Sequence, residues 1–291
     1  MNIYEAILEG KEQLKDSNIK SYGIDTEILM AETLKKARDY IILNHKKNLD
    51  KDDFRYFKKL IDKRSKGEPV AYIINKKDFW KTEFFVTNDV LIPRPDTELI
   101  VEQVLKMTEN RSKLNILEIG IGSGCILLSI LNERKSFIGT GIDISKKSIE
   151  ICRVNVNKLN LNNRIKLFKS DIDNFSNGKY DLIISNPPYI KKNDLKYLDK
   201  DIVKFEPDLA LNGGFDGLSE IKKIINRSSD LIKINGILVL EIAFNQKKEV
   251  IRLLNKNRLY VTNVFKDLAK NDRCIISRKL WKKFKDRYGN F

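Results

Sequence analysis

A glycine-rich loop follows Glu118 and could hold a nucleoside cofactor. Its residues are Gly120, Ile121, Gly122, Ser123 and Gly124, between a predicted buried strand and a predicted helix. Glycines at such a turn let the backbone approach a ligand without an intervening Cβ atom. A dinucleotide site would have the spacing GxGxxG, but Cys125 stands where its third glycine would lie. Since the Glu118 carboxylate would also repel a pyrophosphate, the pattern counts against NAD.

Two more carboxylates follow the next two predicted strands. Asp143 ends the second strand, where a carboxylate can accept hydrogen bonds from both ribose hydroxyls. Asp171 ends the third strand, where it can accept from an adenine amino group, and Glu118 would attract an ammonium group. Together with the glycine loop, these residues predict a site for adenosine linked to a cationic amino acid, and S-adenosylmethionine fits. Taken alone, Asp143 could be only a cap for the helix near Ser145.

A second group of residues, after the fourth predicted strand, could bind a planar NH2 group. It comprises Asn186, Pro187, Pro188 and Tyr189. The prolines hold the backbone rigid, and Pro187 has no N–H. The segment therefore offers carbonyl oxygens beside the side-chain oxygen of Asn186, while Tyr189 offers a flat face for stacking.

This arrangement suits methyl transfer to a conjugated nitrogen. The lone pair of an amide or aryl NH2 is delocalised, so two fixed acceptors are needed to turn it towards a methyl donor. Positioning would do most of the work, and the acceptors would stabilise the charge that develops on nitrogen. No strong base is needed before attack, and no histidine follows His45. The motif does not distinguish glutamine from adenine.

The elements that must position these residues are strands alternating with helices. We predict strands at Leu114–Ile119, Phe137–Ile142, Arg164–Lys169, Tyr180–Ser185 and Ile237–Ile242, with two more at Tyr260–Phe265 and Cys274–Ser277. Helices are predicted at Ser123–Asn132, Ser145–Leu159 and Gly217–Lys233. This alternation predicts an α/β fold with a mostly parallel, doubly wound sheet, which binds ligands at the carboxyl ends of its strands.

The first 65 residues are predicted to be helical. Apolar residues recur at helical spacing, in one group at Ile3, Ala6, Ile7 and Leu14 and in another at Ile24, Ile28, Leu29, Ala31 and Leu34. The aromatic and β-branched segment Val70–Ile92 is predicted to form a hairpin that turns at Lys81-Thr82-Glu83. We therefore predict a helical domain at residues 1–66, a hairpin linker at 67–97 and a cofactor-binding domain at 98–291.

The composition narrows the class of protein. The 291 residues carry a formal net charge of +15, which favours an anionic partner such as nucleic acid or the ribosome. No apolar run is long enough to span a membrane, and the N-terminus does not resemble a signal peptide. Three cysteines without CxxC spacing and one histidine argue against a disulfide framework and against a zinc site. These features predict a cytoplasmic protein without a metal site.

Beyond these patterns, the sequence resembles the bacterial release factor glutamine N5-methyltransferases, the PrmC or HemK family. The resemblance covers nearly the whole chain. Its motifs are Glu68-Pro69, Phe79-Trp80, Val90–Glu98 with its Pro-Arg-Pro run, the glycine loop, Asn186–Tyr189, Phe205-Glu206-Pro207, Gly213-Gly214 with Asp216-Gly217-Leu218, and Asp267–Ala269 with Asn271–Arg273. The Pro-Arg-Pro and Gly-Gly-x-Asp-Gly-Leu motifs are the most specific.

The resemblance implies a seven-stranded S-adenosylmethionine-dependent methyltransferase sheet, with an N-terminal helical domain that docks a peptide chain release factor. Gly120–Gly124, Asp143, Ile172 and Asn186 would contact the cofactor, and Asn186–Tyr189 would hold the glutamine of a Gly-Gly-Gln motif. The chain departs from the family pattern at Asn75 and Lys270, where glycine is usual, at Ile172, where an aromatic residue is common, and at Ile242-Ala243, which replace His-Gly.

Several assignments stay open. Arg94 could steer a partner, pair with a carboxylate near the site or form a structural ion pair, and Glu98 has no clear role. The basic extension Leu280–Phe291 is expected to be solvated. The alternative activity is amino methylation of adenine or guanine in ribosomal RNA or DNA. The net charge favours it, but residues 1–75 carry 15 basic and 13 acidic side chains, which is not a basic stripe. A non-enzymatic binding protein would not need the acceptors of Asn186–Tyr189.

Overall fold

The computed structural model of the protein describes residues 1–280. The predicted basic extension, apart from Leu280, lies outside the described residues. The helices are α1 (Ile3–Asp16), α2 (Tyr22–Leu34), α3 (Arg38–Leu43), α4 (Lys51–Ser65), α5 (Val70–Ile73), α6 (Glu98–Met107), α7 (Cys125–Glu133), α8 (Lys146–Lys158), α9 (Lys200–Phe205), α10 (Asp208–Leu211), α11 (Ser219–Leu231) and α12 (Lys247–Lys256). The strands are β1 (Lys76–Phe79), β2 (Thr82–Phe85), β3 (Asn115–Ile119), β4 (Ile138–Asp143), β5 (Ile165–Lys169), β6 (Tyr180–Ser185), β7 (Ile232–Glu241), β8 (Leu259–Lys266) and β9 (Asp272–Lys279). Within residues 1–280, no helix combines the length and apolar character needed to cross a membrane.

Two compact units make up the chain, and the first consists of residues 1–76 together with residues 199–205. Its helices pack around buried apolar side chains such as Leu14, Leu29 and Phe57. Helix α9 joins this unit although more than a hundred residues separate it from α5. Asp201 in α9 lies 3.0 Å from the guanidinium group of Arg64, which also pairs with Asp25 at 2.7 Å. The sequence does not indicate this return of the chain to the N-terminal helices.

Three local predictions for residues 1–92 need correction. Ile24 is 48% exposed, because α2 instead buries the neighbouring Asp25 against Arg64 and consecutive helical residues point about 100° apart. Residues Val70–Ile73 form a helical turn after Pro69, whose fixed φ suits the start of a helix. The hairpin of β1 and β2 turns at Trp80-Lys81 rather than at Lys81–Glu83, and Trp80 adopts the left-handed φ of 56° that such a tight turn needs.

The second unit contains residues 77–198 and continues from Glu206. Its seven-stranded sheet has the order β5-β4-β3-β6-β7-β9-β8. Strands β5, β4, β3, β6 and β7 run parallel, whereas β9 is antiparallel to both β7 and β8. The predicted doubly wound sheet and all seven predicted strands are confirmed, with end positions shifted by a few residues.

Both faces of this sheet are buried. Ile116 and Ile184 belong to one apolar cluster, while the adjacent residues Leu117 and Ile183 belong to the other. Successive strand residues point to opposite faces, so the continuous apolar runs of β3 and β6 supply both clusters. A parallel sheet covered by helices on both faces requires such runs.

The strand order reverses between β3 and β6. From β3 the chain continues through β4 to β5 on one side, and it then returns to β6 and β7 on the other side. Ligands bind at such a switch point, outside the carboxyl ends of the strands. The glycine loop after β3 and Asn186 after β6 therefore lie on either side of the same crevice.

Candidate active site

The glycine loop turns sharply from β3 into α7. The backbone N–H of Gly120 donates to the Ile142 carbonyl on β4 at 2.9 Å. Gly124, which immediately precedes α7, has a φ of 84°, in the left-handed region that favours glycine. A Cβ atom on Gly124 would lie 2.8 Å from the Cys152 Sγ atom. Both backbone geometry and space therefore require glycine at position 124.

A cavity of about 460 Å³ opens at this edge of the sheet, within the usual volume of small-molecule sites. It brings together most of the residues predicted for the site: Glu118, Gly120, Ile121, Gly122, Ser123, Asp143, Asp171, Ile172, Asn186, Pro187 and Pro188. Gly124 and Tyr189 are not among the residues that line it. The sequence analysis missed other lining residues, among them Asp89, Val90, Thr97, Glu220 and Lys223.

Glu118 is a buried carboxylate in the wall of the cavity. It is 1% exposed, and its Oε2 atom accepts a hydrogen bond from the Leu127 backbone N–H at 2.9 Å. Burial raises the pKa of Glu118 to about 8, and the nearby Asp143 carboxylate acts in the same direction. A cationic group placed in the cavity would compensate the buried charge. The ammonium group of S-adenosylmethionine is such a cationic group.

Asp143 links the end of β4 to the glycine loop. Its Oδ2 atom accepts from the Gly122 N–H at 3.0 Å, and its Oδ1 atom accepts from the Ser145 N–H at 2.9 Å. Burial raises its pKa despite these bonds. Helix α8 is capped by the hydroxyl of Ser145, not by Asp143. Because each carboxylate oxygen can accept a second hydrogen bond, Asp143 can still receive ribose hydroxyls.

Asp171, the third predicted carboxylate, lines another part of the cavity wall, which also contains the ion pair of Lys223 and Glu220. Asp171 accepts from the Asp173 N–H at 3.1 Å and caps a 3-10 turn. Ile172, in that turn, is 5% exposed and contributes an apolar surface where an aromatic residue is common in the family. Lys223 pairs with Glu220 at 2.8 Å. This pairing chiefly raises the pKa of Lys223, with further contributions from Asp171 and Asp173.

Asn186 lies at the end of β6, and its amide belongs to a buried hydrogen-bond network. Its Nδ2 atom donates to the Thr97 Oγ1 atom at 3.2 Å. The Thr97 hydroxyl donates to the Glu241 Oε2 atom at 2.7 Å. With the nitrogen committed to Thr97, the Asn186 oxygen is left to accept from a ligand in the cavity that Asn186 lines.

Tyr189 joins the same network from the other end of the Asn186–Tyr189 segment. Its hydroxyl donates to the Glu241 Oε1 atom at 3.3 Å. Burial and the negative charge of Glu241 raise the pKa of Tyr189, so the phenol stays protonated. The hydroxyl therefore anchors the ring to Glu241. That the ring stacks on a substrate stays a prediction.

The loop at residues 213–217 supports the backbone of this segment. A Cβ atom on Gly213 would lie 2.9 Å from the Pro188 carbonyl oxygen, and one on Gly217 would lie 2.6 Å from that of Tyr189. The buried Gln246 side chain donates from Nε2 to the carbonyls of Tyr189, at 3.2 Å, and Gly217, at 2.8 Å. Gly213 and Gly217 are thus explained by the close approach of two backbone segments.

Arg94 and Glu98 have partners in the structure. Arg94 lines the cavity, and its guanidinium group lies 2.5 Å from the carboxylate of Glu206, whose side chain is 2% exposed. Glu206 also accepts from the Ile92 N–H. Glu98 accepts from the Trp80 N–H at 2.8 Å. The sequence left three possible roles open for Arg94. This geometry favours one of them, an ion pair with a carboxylate near the site.

Two of the departures from the family pattern have unusual backbone geometry. Asn75 has a φ of 54° and Lys270 a φ of 66°. Both values lie in the left-handed region, which favours glycine. Asn tolerates this region better than other side chains, so Lys270 is the more strained substitution.

Comparison with known proteins supports this description. The sequence matches the family model of the PrmC N-terminal domain at residues 5–74 and that of the methyltransferase small domain at residues 95–209. In fold, the chain is similar to a methyltransferase from Pyrococcus furiosus, with a TM-score of 0.52 and 20% identity, over 68% of this chain and 89% of that one.

Curated relatives match over almost the full length. A release factor glutamine methyltransferase of Buchnera aphidicola (Acyrthosiphon pisum) is 36% identical, over 96% of this chain and 99% of the relative. One from Caulobacter vibrioides is 32% identical, over 96% of this chain and 97% of the relative. With the methyltransferase fold and a cavity suited to S-adenosylmethionine, the chain belongs to the family of release factor glutamine methyltransferases.

Proposed function

We propose that this protein transfers a methyl group from S-adenosylmethionine to the side-chain amide nitrogen (N5) of the glutamine in the Gly-Gly-Gln motif of peptide chain release factors. The observation that carries the proposal is the orientation of the Asn186 amide. Its nitrogen donates a hydrogen bond to Thr97, so its oxygen can accept one from a donor in the cavity. A glutamine amide has such a donor in its NH2 group. The relatives' activity on release factors supports this choice of substrate.

The cavity residues have distinct roles in this proposal. Glu118 pairs with the ammonium group of the cofactor, Asp143 accepts from its ribose, and Asp171 and Ile172 contact its adenine. The glycine loop, including Gly124, allows close approach of the backbone. When bound, S-adenosylmethionine supplies an electrophilic methyl group. None of these groups acts as a base.

The Asn186–Tyr189 segment orients the acceptor. The Asn186 oxygen and the Pro187 carbonyl oxygen each accept one hydrogen of the glutamine NH2. These bonds turn the nitrogen lone pair towards the methyl group and stabilise the positive charge that develops on nitrogen. Bound S-adenosylmethionine would supply its methyl group from sulfur to this nitrogen, and the methylated nitrogen would release one proton to water. Because that nitrogen is acidic, no strong base is needed.

The parts of the chain have separate roles in the same proposal. Residues 1–66 dock the release factor, residues 67–97 form a linker that also contributes Arg94 and Thr97 to the cavity wall, and residues 98–291 carry the rest of the methyltransferase site. We also propose that basic surface residues contact the ribosome or nucleic acid. The proposed location of the protein is the cytoplasm. The net charge of +15 supports such a contact.

Transfer of labelled methyl groups from S-adenosylmethionine tests the proposal. The acceptors are a purified release factor, the same factor with its Gly-Gly-Gln glutamine changed to alanine, ribosomal RNA and DNA. We expect label only on the intact factor. Label on nucleic acid with the factor unlabelled would overturn the proposal and would mean that Asn186–Tyr189 binds a base.

A further inference from the structure

Asn186, which the proposed function places at the acceptor, begins a hydrogen-bond chain through Thr97 and Glu241, two residues to which that function gives no role. It runs from Asn186 through Thr97 to Glu241 and ends at Tyr189. Thr97 is 2% and Glu241 2% exposed. Thr97 and Glu241 come from elements 144 residues apart in sequence. A carboxylate buried so completely costs folding free energy unless its partners compensate it, so its presence beside the acceptor segment needs an explanation.

The direction of each hydrogen bond follows from the charge on Glu241. An ionised carboxylate can only accept, so the Thr97 hydroxyl must donate its single proton to Glu241. The Thr97 oxygen then has only lone pairs to offer to Asn186. Asn186 must therefore present its NH2 group to Thr97, and its carbonyl oxygen faces away from Thr97.

We propose that Thr97 and Glu241 are positioning residues of the methyl-transfer site, which act by fixing the Asn186 amide with its oxygen towards the acceptor NH2. This inference rests on the proposed function, because only an NH2 acceptor needs that orientation. The opposite orientation of Asn186 would place a second NH2 group against the NH2 of the substrate. Neither group could then accept from the other.

When Glu241 is protonated, the orientation of the Asn186 amide is no longer fixed. A neutral carboxyl group can donate to the Thr97 oxygen, which frees the Thr97 proton for the Asn186 oxygen and permits the opposite amide orientation. Burial raises the pKa of Glu241 to about 7. The charged and titratable groups around Glu241 are Tyr189, Arg273, Asp96, Cys125 and Cys274. Arg273 favours the ionised form and Asp96 opposes it.

The rate of methyl transfer should depend on pH, because Glu241 fixes the amide only when it is ionised. Above about pH 7 Glu241 is ionised and the amide is fixed, and as the pH falls through about 7 the orientation is lost. At saturating S-adenosylmethionine, kcat should therefore rise with pH through this range. Saturation separates this effect from Glu118, whose ionisation affects cofactor binding.

Four variants test the inference with labelled transfer to release factor, cofactor affinity by calorimetry and thermal unfolding. Thr97→Val removes the hydroxyl at nearly constant shape, Thr97→Ser restores it, and Glu241→Gln removes the ionisation. Thr108→Val is the matched control, since Thr108 is a buried threonine whose hydroxyl donates to the Val104 carbonyl outside the site.

We expect Thr97→Val to lower kcat by at least about 10-fold with little change in cofactor affinity, and Thr97→Ser to recover most of the loss. Glu241→Gln should lower kcat and abolish its dependence on pH between 6 and 8, and Thr108→Val should match the wild type. Wild-type kcat in a folded Thr97→Val protein, or an unchanged pH profile in Glu241→Gln, would overturn the inference alone. A wild-type enzyme that does not label the release factor would instead overturn the proposed function, and the inference with it.

Discussion

The Glu118 carboxylate accepts a hydrogen bond from the Leu127 backbone N–H at 2.9 Å, and so it caps a helix from outside that helix. Helix α7 is preceded by Gly124, which has no side chain to accept from the first turn. Glu118, six residues earlier at the end of β3, supplies the missing acceptor. The positive end of the α7 dipole favours a negative charge at this point, but burial outweighs it and raises the pKa of Glu118 to about 8. One side chain thus caps the helix and presents a carboxyl group to the cavity.

Replacement of Glu118 by glutamine should weaken cofactor binding, because the ammonium group of S-adenosylmethionine loses its partner. A charged hydrogen bond is worth about 1.5–3 kcal/mol, which corresponds to roughly 10-fold to 150-fold in affinity. In the wild type, affinity should also fall as the pH drops below about 8, where free Glu118 takes up a proton. Calorimetric titration at pH 6.5 and 8.5 measures both effects. Equal affinities of wild type and variant at pH 8.5 would exclude the ammonium pairing.

The same variant should stabilise the protein without cofactor at high pH. An unfolded chain loses the Glu118 proton near pH 4.5, whereas the folded protein retains it up to about pH 8. The folded state therefore binds more protons between these values, and the free energy of unfolding falls as the pH rises. Glutamine keeps the acceptor for Leu127 but carries no charge. We expect Glu118→Gln to raise Tm by at least about 2 °C at pH 8.5 and to leave it nearly unchanged at pH 4.5. A lower Tm at pH 8.5 would contradict the burial argument.

Replacement of Asp143 by asparagine tests the ribose contact. Asparagine has one carboxamide oxygen, so it cannot accept from both Gly122 and Ser145 and from two ribose hydroxyls as well. We expect cofactor affinity to fall about 10-fold or more, measured by calorimetry. Asp50→Ala is the control, because it removes the side-chain cap of α4 and costs about 1 kcal/mol of stability at a residue that does not line the cavity. Unchanged affinity in Asp143→Asn would remove the ribose assignment.

Glycine at position 270 should stabilise the protein. The φ of Lys270 is 66°, and a side chain with a Cβ atom is strained in this region. Part of the relief is offset by the extra freedom of glycine in the unfolded chain. We expect Lys270→Gly to raise the free energy of unfolding by about 0.5–1 kcal/mol, as denaturant titration would show. The same change at Lys256, the last residue of α12, should not stabilise. A destabilised Lys270→Gly variant would show that Lys270 makes a contact that outweighs the strain.

Much of the site could be predicted from the sequence because its signals are local. The glycine loop, Asp143 and Asp171 each follow an apolar run that forms a parallel strand, and such strand ends meet at one edge of a sheet. Asn186 follows β6 in the same way. The sheet of the second unit could be predicted for a related reason, since its strands are rich in apolar residues and alternate with helical patterns.

The rest depended on contacts between distant segments. Thr97 resembles an ordinary residue at the start of a helix, and its role follows only from its contact with Glu241, 144 residues later. The sequence does carry a signal for Glu241, because it is an acidic residue at the end of the apolar strand β7, as Glu118 is near the end of β3. The membership of α9 in the first unit had no local signal, since it depends on the pairing of Asp201 with Arg64.

Single-turnover methyl transfer by Asn186→Ala, with S-adenosylmethionine saturating and release factor as the acceptor, tests the central claim most directly. The variant removes the oxygen that we assign to the acceptor NH2, while the described contacts of Asn186 predict only the loss of one hydrogen bond to Thr97. The account predicts a fall in the transfer rate of about 10²–10³-fold with a thermal unfolding profile close to that of the wild type. Transfer at the wild-type rate would contradict the assignment of Asn186 and, with it, the mechanism.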